Sequence, residues 1–297
     1  MEKTSKIYIA GHEGMVGSIL LKELIIRGYK NLIYKPYKEL DLRNQENTFK
    51  FIQASKPEYI FLIAGKVGGI QANIKYPAEF LFDNLMISAN VIESARLCNV
   101  KKLLFLGSSC IYPRLSPQPM KEDYLLTGSL EPTNEGYAIG KIAGLKLCEY
   151  YQTQYGCNFI TVIPPNLYGP GDNFKTDNSH VISALIRRVD NAKEQKASSI
   201  KIWGTGKARR EFLYNEDLVD GIIFIMNNYN EKGHINVGYG RDISIKELAE
   251  MIKDTEGFNG EFIWDDSKPD GMPRKLMDST RVFNMGWKPK VDLKTGL

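Results

Sequence analysis

Five short apolar runs punctuate the chain up to residue 163: Ile7-Tyr8-Ile9-Ala10, Leu32-Ile33-Tyr34, Tyr59-Ile60-Phe61-Leu62-Ile63, Leu103-Leu104-Phe105-Leu106 and Phe159-Ile160-Thr161-Val162-Ile163. Between them lie longer stretches in which apolar residues recur at helical spacing, near 15–27, 44–55, 78–98 and 137–155. A strand that is apolar along both faces must be covered on both, and parallel strands need a connection long enough to be a helix. The pattern predicts an α/β fold with a doubly wound parallel sheet.

After Ile163 the alternation stops in Pro164-Pro165-Asn166-Leu167-Tyr168-Gly169-Pro170-Gly171-Asp172-Asn173, a stretch that breaks helices and strands alike. A domain crossing is expected here, followed by a helix from about 180 to 189, strands near 200–203 and 234–237, and a helix near 244–254. These predict a smaller C-terminal α/β domain. The chain then divides into 1–168 plus about 212–238, and 169–211 plus 239–297. The polar run Asn191-Ala192-Lys193-Glu194-Gln195-Lys196 reads as a solvated surface loop, and no repeat or low-complexity tract is present.

The 297 residues suffice to bury a sizeable core. With 43% hydrophobic and 25% charged residues the composition is that of an ordinary globular chain, and no apolar run approaches the length of a bilayer span. Met1 to Lys6 lead straight into the first strand without an apolar signal segment, so a cytoplasmic location is expected. Cys98, Cys110, Cys148 and Cys157 contain no C-x-x-C pair and only His12, His180 and His234 accompany them, which disfavours a zinc site and a disulfide framework. A net charge of +4, evenly spread, points away from nucleic acid and is compatible with a small anionic ligand.

The first run ends in Gly11-His12-Glu13-Gly14-Met15-Val16-Gly17, a G-x-x-G-x-x-G loop with an apolar helix behind it. Such glycines allow a tight turn, the approach of a pyrophosphate to the backbone, and close packing of helix on strand. A dinucleotide is the expected ligand, a glycine-rich turn without one being the competing reading. Where NAD-binding chains end the second strand in a carboxylate for the ribose, this chain has Tyr34-Lys35 with Lys38 close by, which suits the 2′-phosphate of NADP. Glu13 places a negative charge inside the loop and weighs against that; the balance favours NADP(H).

Tyr137-Ala138-Ile139-Gly140-Lys141 sets a phenol and an ammonium one turn apart on one helix face. The ammonium is expected to lower the phenol's pKa and make it a usable proton donor, although the spacing alone is also that of any amphipathic helix. Gly107-Ser108-Ser109-Cys110 adds a hydroxyl for the same substrate oxygen at the carboxyl end of the fourth run, where doubly wound sheets bind ligands.

The glycine loop, the strand-end serine and Y-x-x-x-K together resemble the extended short-chain dehydrogenase/reductases, a Rossmann-fold family. Longer strings narrow the resemblance from about residue 6 onward: Lys66-Val67-Gly68-Gly69-Ile70, Leu106-Gly107-Ser108-Ser109-Cys110-Ile111-Tyr112-Pro113, Glu131-Pro132-Thr133-Asn134-Glu135, Asn166-Leu167-Tyr168-Gly169-Pro170, Asn178-Ser179-His180-Val181 and Ser267-Lys268-Pro269-Asp270-Gly271. They resemble the members that epimerise and then reduce a GDP-4-keto-6-deoxy hexose with NADP(H).

The resemblance implies a first domain that binds the dinucleotide and a second that holds the sugar nucleotide. A ketone at C4 acidifies the hydrogens at C3 and C5, and Cys110 and His180 match the family's acid/base pair for two epimerisations. Outside these strings they would read as a small core residue and a structural histidine. Tyr137 is implied as proton donor in the reduction, with Ser108 as its hydrogen-bond partner and Lys141 on the ribose. Implied cofactor contacts are Gly11, His12, Glu13, Gly14, Met15, Val16 and Gly17, then Lys35, Asp41 and Leu42. Ala64, Gly65 and Val67 are implied on the adenosine side, and Leu106, Gly107, Pro164, Asn166, Leu167 and His180 along the rest of the cleft.

Ser109, Asn166, Arg188, Trp203, Arg210 and Asp270 fall at positions the resemblance implies for the GDP-sugar. Arginine suits a diphosphate and a carboxylate suits donors on guanine or ribose, whereas an Arg187-Arg188 pair can equally be a solvated basic face. A homodimer through the helices near 78–98 and 137–155 is implied as well.

Glu13 departs from the family pattern, which often has a basic residue there, and Gly136 and Gly140 stand where larger residues are expected. The sequence stops at Leu297, where a last helix is expected to begin, so that helix is expected to be short or absent. The nearest competing activity is C4 reduction alone, on a related GDP-4-keto sugar such as a heptose for surface glycan synthesis. A 4,6-dehydratase or 4-epimerase is disfavoured because Cys110-Ile111-Tyr112 stands where a dehydratase needs a carboxylate pair. Intact Ser108, Tyr137 and Lys141 disfavour a non-catalytic dinucleotide sensor.

Overall fold

The computed structural model describes residues 1–172, 181–268 and 270–297. The chain runs through β1 (Lys6–Ala10), α1 (Met15–Ile26), β2 (Asn31–Ile33), α2 (Gln45–Ser55), β3 (Tyr59–Leu62), α3 (Ile70–Lys75), α4 (Pro77–Leu97), β4 (Lys102–Leu106), α5 (Glu135–Tyr155), β5 (Phe159–Ile163) and β6 (Asn166–Tyr168). It continues through α6 (Val181–Glu194), β7 (Ser199–Trp203), β8 (Arg209–Tyr214), α7 (Asn215–Asn228), β9 (His234–Asn236), β10 (Asp242–Ser244), α8 (Ile245–Glu256), β11 (Glu261–Asp265), β12 (Arg274–Lys275), α9 (Thr280–Asn284) and α10 (Leu293–Gly296).

Six strands form one parallel sheet in the order β2-β1-β3-β4-β5-β9. Alternate side chains of each strand leave on opposite faces. Ile7, Ile9 and Leu104 pack against Leu20 and Leu24 of α1 and Leu218, Ile222 and Ile225 of α7. Tyr8, Ile60, Leu103 and Phe105 pack on the other face against Ile52 of α2, Val91 and Ile92 of α4 and Leu145 of α5. Covered on both sides, β4 and β5 are buried at every residue, which is why their sequence is apolar but for Lys102 and Thr161. The doubly wound sheet expected from those runs is thus present.

The second core lies beyond β6. There β8 pairs with β10 antiparallel and with β6 and β12 in parallel, while β7 pairs with β11. Leu185 and Val189 of α6, Leu248 and Ile252 of α8, and Ile200 and Ile202 of β7 close this core.

The strands β6, β8, β10, β11 and β12 and the helices α3 and α9 are absent from the sequence reading, and two further differences bear on packing. Asn191 to Glu194 belong to α6, not to a surface loop; Ala192 continues the buried stripe of Leu185 and Val189, and the polar residues around it form the solvent face. The helix α7 is not among the expected elements, although it carries a helical period: Leu218, Val219, Ile222, Ile223, Ile225 and Met226 are buried, and Glu216, Asp220 and Asn227 lie on the more exposed side. Its C-terminal carbonyls, Met226 O and Tyr229 O, accept from the buried Lys102 ammonium at 2.7 and 2.5 Å. Lys102 thus compensates carbonyls that the helix leaves unpaired.

The helix α5 packs closely on α4 and β4, and this explains the two unexpected glycines. A Cβ on Gly136 would lie 2.7 Å from Pro77 O, and one on Gly140 would lie 3.0 Å from Asn84 Cβ and 3.2 Å from Leu81 O. One turn further on, a Cβ on Gly144 would lie 2.7 Å from Phe105 Cζ and 2.9 Å from Ser88 Cβ. Gly136→Ala offers at most ~1 kcal/mol of helix propensity, against ~1–3 kcal/mol of overpacking onto a backbone carbonyl. Urea unfolding is expected to find this variant less stable by about 1 kcal/mol, and a stabilised variant would contradict the packing argument.

Candidate active site

In the sheet β1 lies between β2 and β3, so the chain leaves it first to one side and then to the other, and the loops after β1 and β3 part to open a cleft. Its volume is about 890 Å³, and it reaches from the glycine loop to the ends of β4 and β5 and on to the second core. Gly11 takes φ +95°, and a Cβ there would lie 2.6 Å from Ala64 N. A Cβ on Gly17 would lie 2.0 Å from Gly11 O, so α1 sits directly on the turn. Gly14 meets nothing closer than 3.6 Å and leaves its backbone open. The N-terminus of α1 has no side-chain cap and no acidic residue in its first turn. Its unpaired N–H groups and the dipole behind them form an anion cradle of the kind a pyrophosphate occupies.

Glu13, Gly14, Met15, Val16, Lys35, Asp41, Leu42, Ala64, Gly65 and Val67 line this end of the cleft. His12 does not; its ring packs on Tyr34, with centroids 4.8 Å apart. Lys35 lines the cleft with its ammonium 2.5 Å from Glu39 in an exposed pair, and Lys38 does not line it. Sequence reasoning missed Arg43, which chelates Asp41 and reaches Asp83 at 3.0 Å. Its hydrogen bonds hold the Asp41 carboxyl below the usual range.

At the far end Leu106, Gly107, Ser108, Ser109, Cys110, Tyr137, Lys141, Pro164, Asn166 and Leu167 line the cleft together. Ser108 caps the short turn after β4, accepting the Cys110 N–H at 3.3 Å. Tyr137 sits edge-on to Phe80, and the Lys141 ammonium lies 6.0 Å from its ring centre. Lys141 donates to Leu106 O at 2.9 Å, and burial pushes its pKa down to about 8. The expected lowering of the phenol by this ammonium is not found. Burial, followed by the charge on Cys110, raises Tyr137, and the Ser108 hydroxyl opposes them only in part. Tyr137 therefore stays a protonated phenol, and its raised proton affinity makes it a weaker acid than a free phenol.

The thiol of Cys110 behaves oppositely. Burial would raise its pKa, but the ammonium of Lys275, the Ser108 hydrogen bond and the charge of Arg210 outweigh that and hold it below the ordinary thiol range. Lys275 Nζ lies 3.2 Å from Cys110 Sγ, and Asn134 Nδ2 donates to the same sulfur at 3.3 Å. Neither was singled out from the sequence as a site residue. Asn134 was visible in the Glu131-Pro132-Thr133-Asn134-Glu135 string, whereas Lys275 has no local signal and reaches the thiol only through the pairing of β12 with β8. His180 lies outside the described residues.

The residues expected at the sugar nucleotide, Ser109, Asn166, Arg188, Trp203, Arg210 and Asp270, all line the cleft. Arg210 Nη2 donates to Asp270 O at 3.1 Å, while the Asp270 carboxylate accepts from Thr205 N at 2.8 Å and from its hydroxyl at 2.6 Å. Asp270 thereby ties its loop to the turn at Gly204, whose φ is +81°. Arg188 is exposed at the rim, with Nη1 3.3 Å from Lys201 O.

A dinucleotide cradle running into a Ser-Tyr-Lys constellation agrees with comparison to known proteins. The chain belongs to the NAD dependent epimerase/dehydratase family, which matches residues 7–238. It is similar to GDP-L-fucose synthase 1 of Arabidopsis thaliana, 52% identical over 296 residues that cover 100% of this chain and 92% of the plant protein. The solved structure of a GDP-6-OMe-4-keto-L-xylo-heptose reductase from C. jejuni superposes with a TM-score of 0.94 at 41% identity, covering 100% of this chain and 96% of the other. A GDP-mannoheptose C4 reductase from Campylobacter jejuni with NADP bound gives 0.90 at 44% identity, covering 100% and 96%.

Two consequences can be measured. In Lys275→Met the lowering charge is gone and burial remains, so the pH midpoint of Cys110 alkylation, followed on its peptide by mass spectrometry, is expected to move upward; an unmoved midpoint would contradict the assignment. Lys141 is held charged in an apolar setting, with a folded pKa of about 8 against the ordinary 10.5. Without cofactor, Lys141→Met is expected to be more stable than the parent at pH 7 by up to about 3 kcal/mol. The gain should shrink as pH rises from 8 toward 10.5, since the unfolded parent then holds the proton that its folded state has released, and urea midpoints at pH 7 and 9.5 test both size and sign.

Proposed function

We propose that the protein is an oxidoreductase that carries out NADPH-dependent reduction at C4 of a GDP-4-keto-6-deoxy sugar, together with epimerisation at C3 and C5. The observation that carries this reading is the shared position of Cys110, Ser108 and Tyr137: a thiol held low faces the same end of the cleft as two hydroxyls. Cys110, as thiolate, takes a proton from a carbon next to the C4 ketone. The negative oxygen that results is met by the Ser108 and Tyr137 hydroxyls, and return of a proton on the opposite face inverts the centre. His180 is the proposed acid for that return.

When bound, the nicotinamide cofactor supplies the hydride for C4. Tyr137 then gives its proton to the C4 oxygen, Ser108 holds that oxygen in place, and Lys141 holds the ribose. The open backbone at Gly14 and the uncapped α1 accommodate the pyrophosphate of the dinucleotide. Arg188 and Arg210 are assigned to the diphosphate of the sugar nucleotide, Trp203 and Asp270 to its nucleoside end. On this reading the lobe of the parallel sheet binds the dinucleotide and the second core binds the sugar. Phe82 on α4 and Ile139 and Tyr150 on α5 are exposed, which supports pairing of two copies through these helices.

Incubation with GDP-4-keto-6-deoxy-D-mannose in deuterated water, without cofactor, tests the epimerase half. Deuterium at C3 and C5 is expected. Reduction with NADPH but without such exchange would give the activity of a C4 reductase alone, the reading that the heptose-reductase structures favour. Tyr137→Phe is expected to lose about 10²–10⁴-fold in reduction while deuterium exchange persists. Reduction at the parental rate would overturn the assignment.

A further inference from the structure

The adenosine end of the cleft carries a charge arrangement that the glycine loop alone does not require. Glu13 is exposed, lines the cleft, and accepts the Tyr37 N–H at 2.8 Å through Oε2. Tyr37 belongs to the segment just after β2, so the hydrogen bond carries the carboxylate from the glycine loop to the end of the second strand. In a doubly wound sheet the adenosine ribose presents its 2′ position at that place. Of the cations there, Lys35, Arg43 and Lys66 line the cleft and already have partners, while the exposed Lys38 next to Tyr37 does not line it. Lys35 lies 2.5 Å from Glu39, Arg43 is chelated by Asp41 and paired with Asp83, and Lys66 lies 3.1 Å from Asp83 and also pairs with Glu79. Among the described residues Glu13 forms no ion pair.

We propose that Glu13 sets the dinucleotide preference, standing in for the carboxylate that β2 lacks, so that the protein binds NADH about as well as NADPH. The inference rests on the function proposed above for the need of a reduced nicotinamide, and goes beyond it in naming the residue and the second cofactor. A carboxylate next to the 2′ position accepts hydrogen bonds from the ribose hydroxyls, and it repels a 2′-phosphate that finds Lys35 and Arg43 already neutralised. Because the Tyr37 N–H already occupies one lone pair of Oε2, Oε1 remains for the ribose.

The test measures binding directly, by energy transfer from the three tryptophans to NADH and to NADPH at fixed ionic strength. For the parent protein the two dissociation constants are expected to agree within about tenfold, and a larger preference for NADPH overturns the proposal. Glu13→Gln keeps an acceptor for Tyr37 and removes only the charge. It is expected to shift the ratio toward NADPH by about tenfold, and Glu13→Arg by more. A role confined to holding the loop would change both constants equally, and an unchanged ratio in Glu13→Gln overturns the proposal. Because the readout needs no sugar, it stands or falls independently: absent turnover with GDP-4-keto sugars would refute the proposed function while leaving these ratios to be read.

Discussion

The close seating of α5 against α4 and β4 is the constraint on which the active end of the cleft depends. Three glycines one turn apart, Gly136, Gly140 and Gly144, remove the side chains that would hold the helices away, and Tyr137 and Lys141 occupy the turns between them. At that distance Lys141 reaches the last carbonyl of β4 and is buried, at the cost of much of its preference for charge. Gly65 belongs to the same arrangement, since a Cβ there would come within 3.1 Å of the Lys141 ammonium. The backbone approach is thus set by residues that do no chemistry, and the chemistry is performed by those they bring in.

Electrostatics in the cleft divides two ionisable groups that stand close together. Tyr137 is raised by burial and kept as a donor, while Cys110 is lowered because Lys275 and Arg210 face it. The two cations are register partners on β12 and β8, so one strand pair of the second core delivers both charges. Groups whose surroundings drive their proton affinities apart are what a site needs if it is to take a proton from one atom and give one to another.

The sheet and most of its helices were legible because burial on both faces leaves no alternative to near-continuous apolar runs, and because the glycine loop carries its geometry in its spacing. The helix α7 was overlooked although its period is present: Leu218, Val219, Ile222, Ile223, Ile225 and Met226 recur at helical spacing opposite Glu216, Asp220 and Asn227. Ser108, Tyr137 and Lys141 were singled out through local motifs and Cys110 through the family resemblance, and all four line the cleft. Lys275 could not be, since 165 residues separate it from Cys110 and only a two-residue strand places it there. Arg43 was passed over because an arginine beside an aspartate reads as a surface pair, and only the fold brings Asp83 to its other side. The tyrosine's proton affinity was misjudged because spacing on a helix gives a distance to the lysine but says nothing of burial, which here is the larger influence.

One outcome concerns the reach of a single short strand. The sulfur of Cys110 belongs to the first half of the polypeptide, and the ammonium that tunes it arrives with β12, near the other end. A change anywhere that parts β12 from β8 would take that ammonium away from the thiol, so the proton affinity of Cys110 reports on the seating of a strand far from it along the chain.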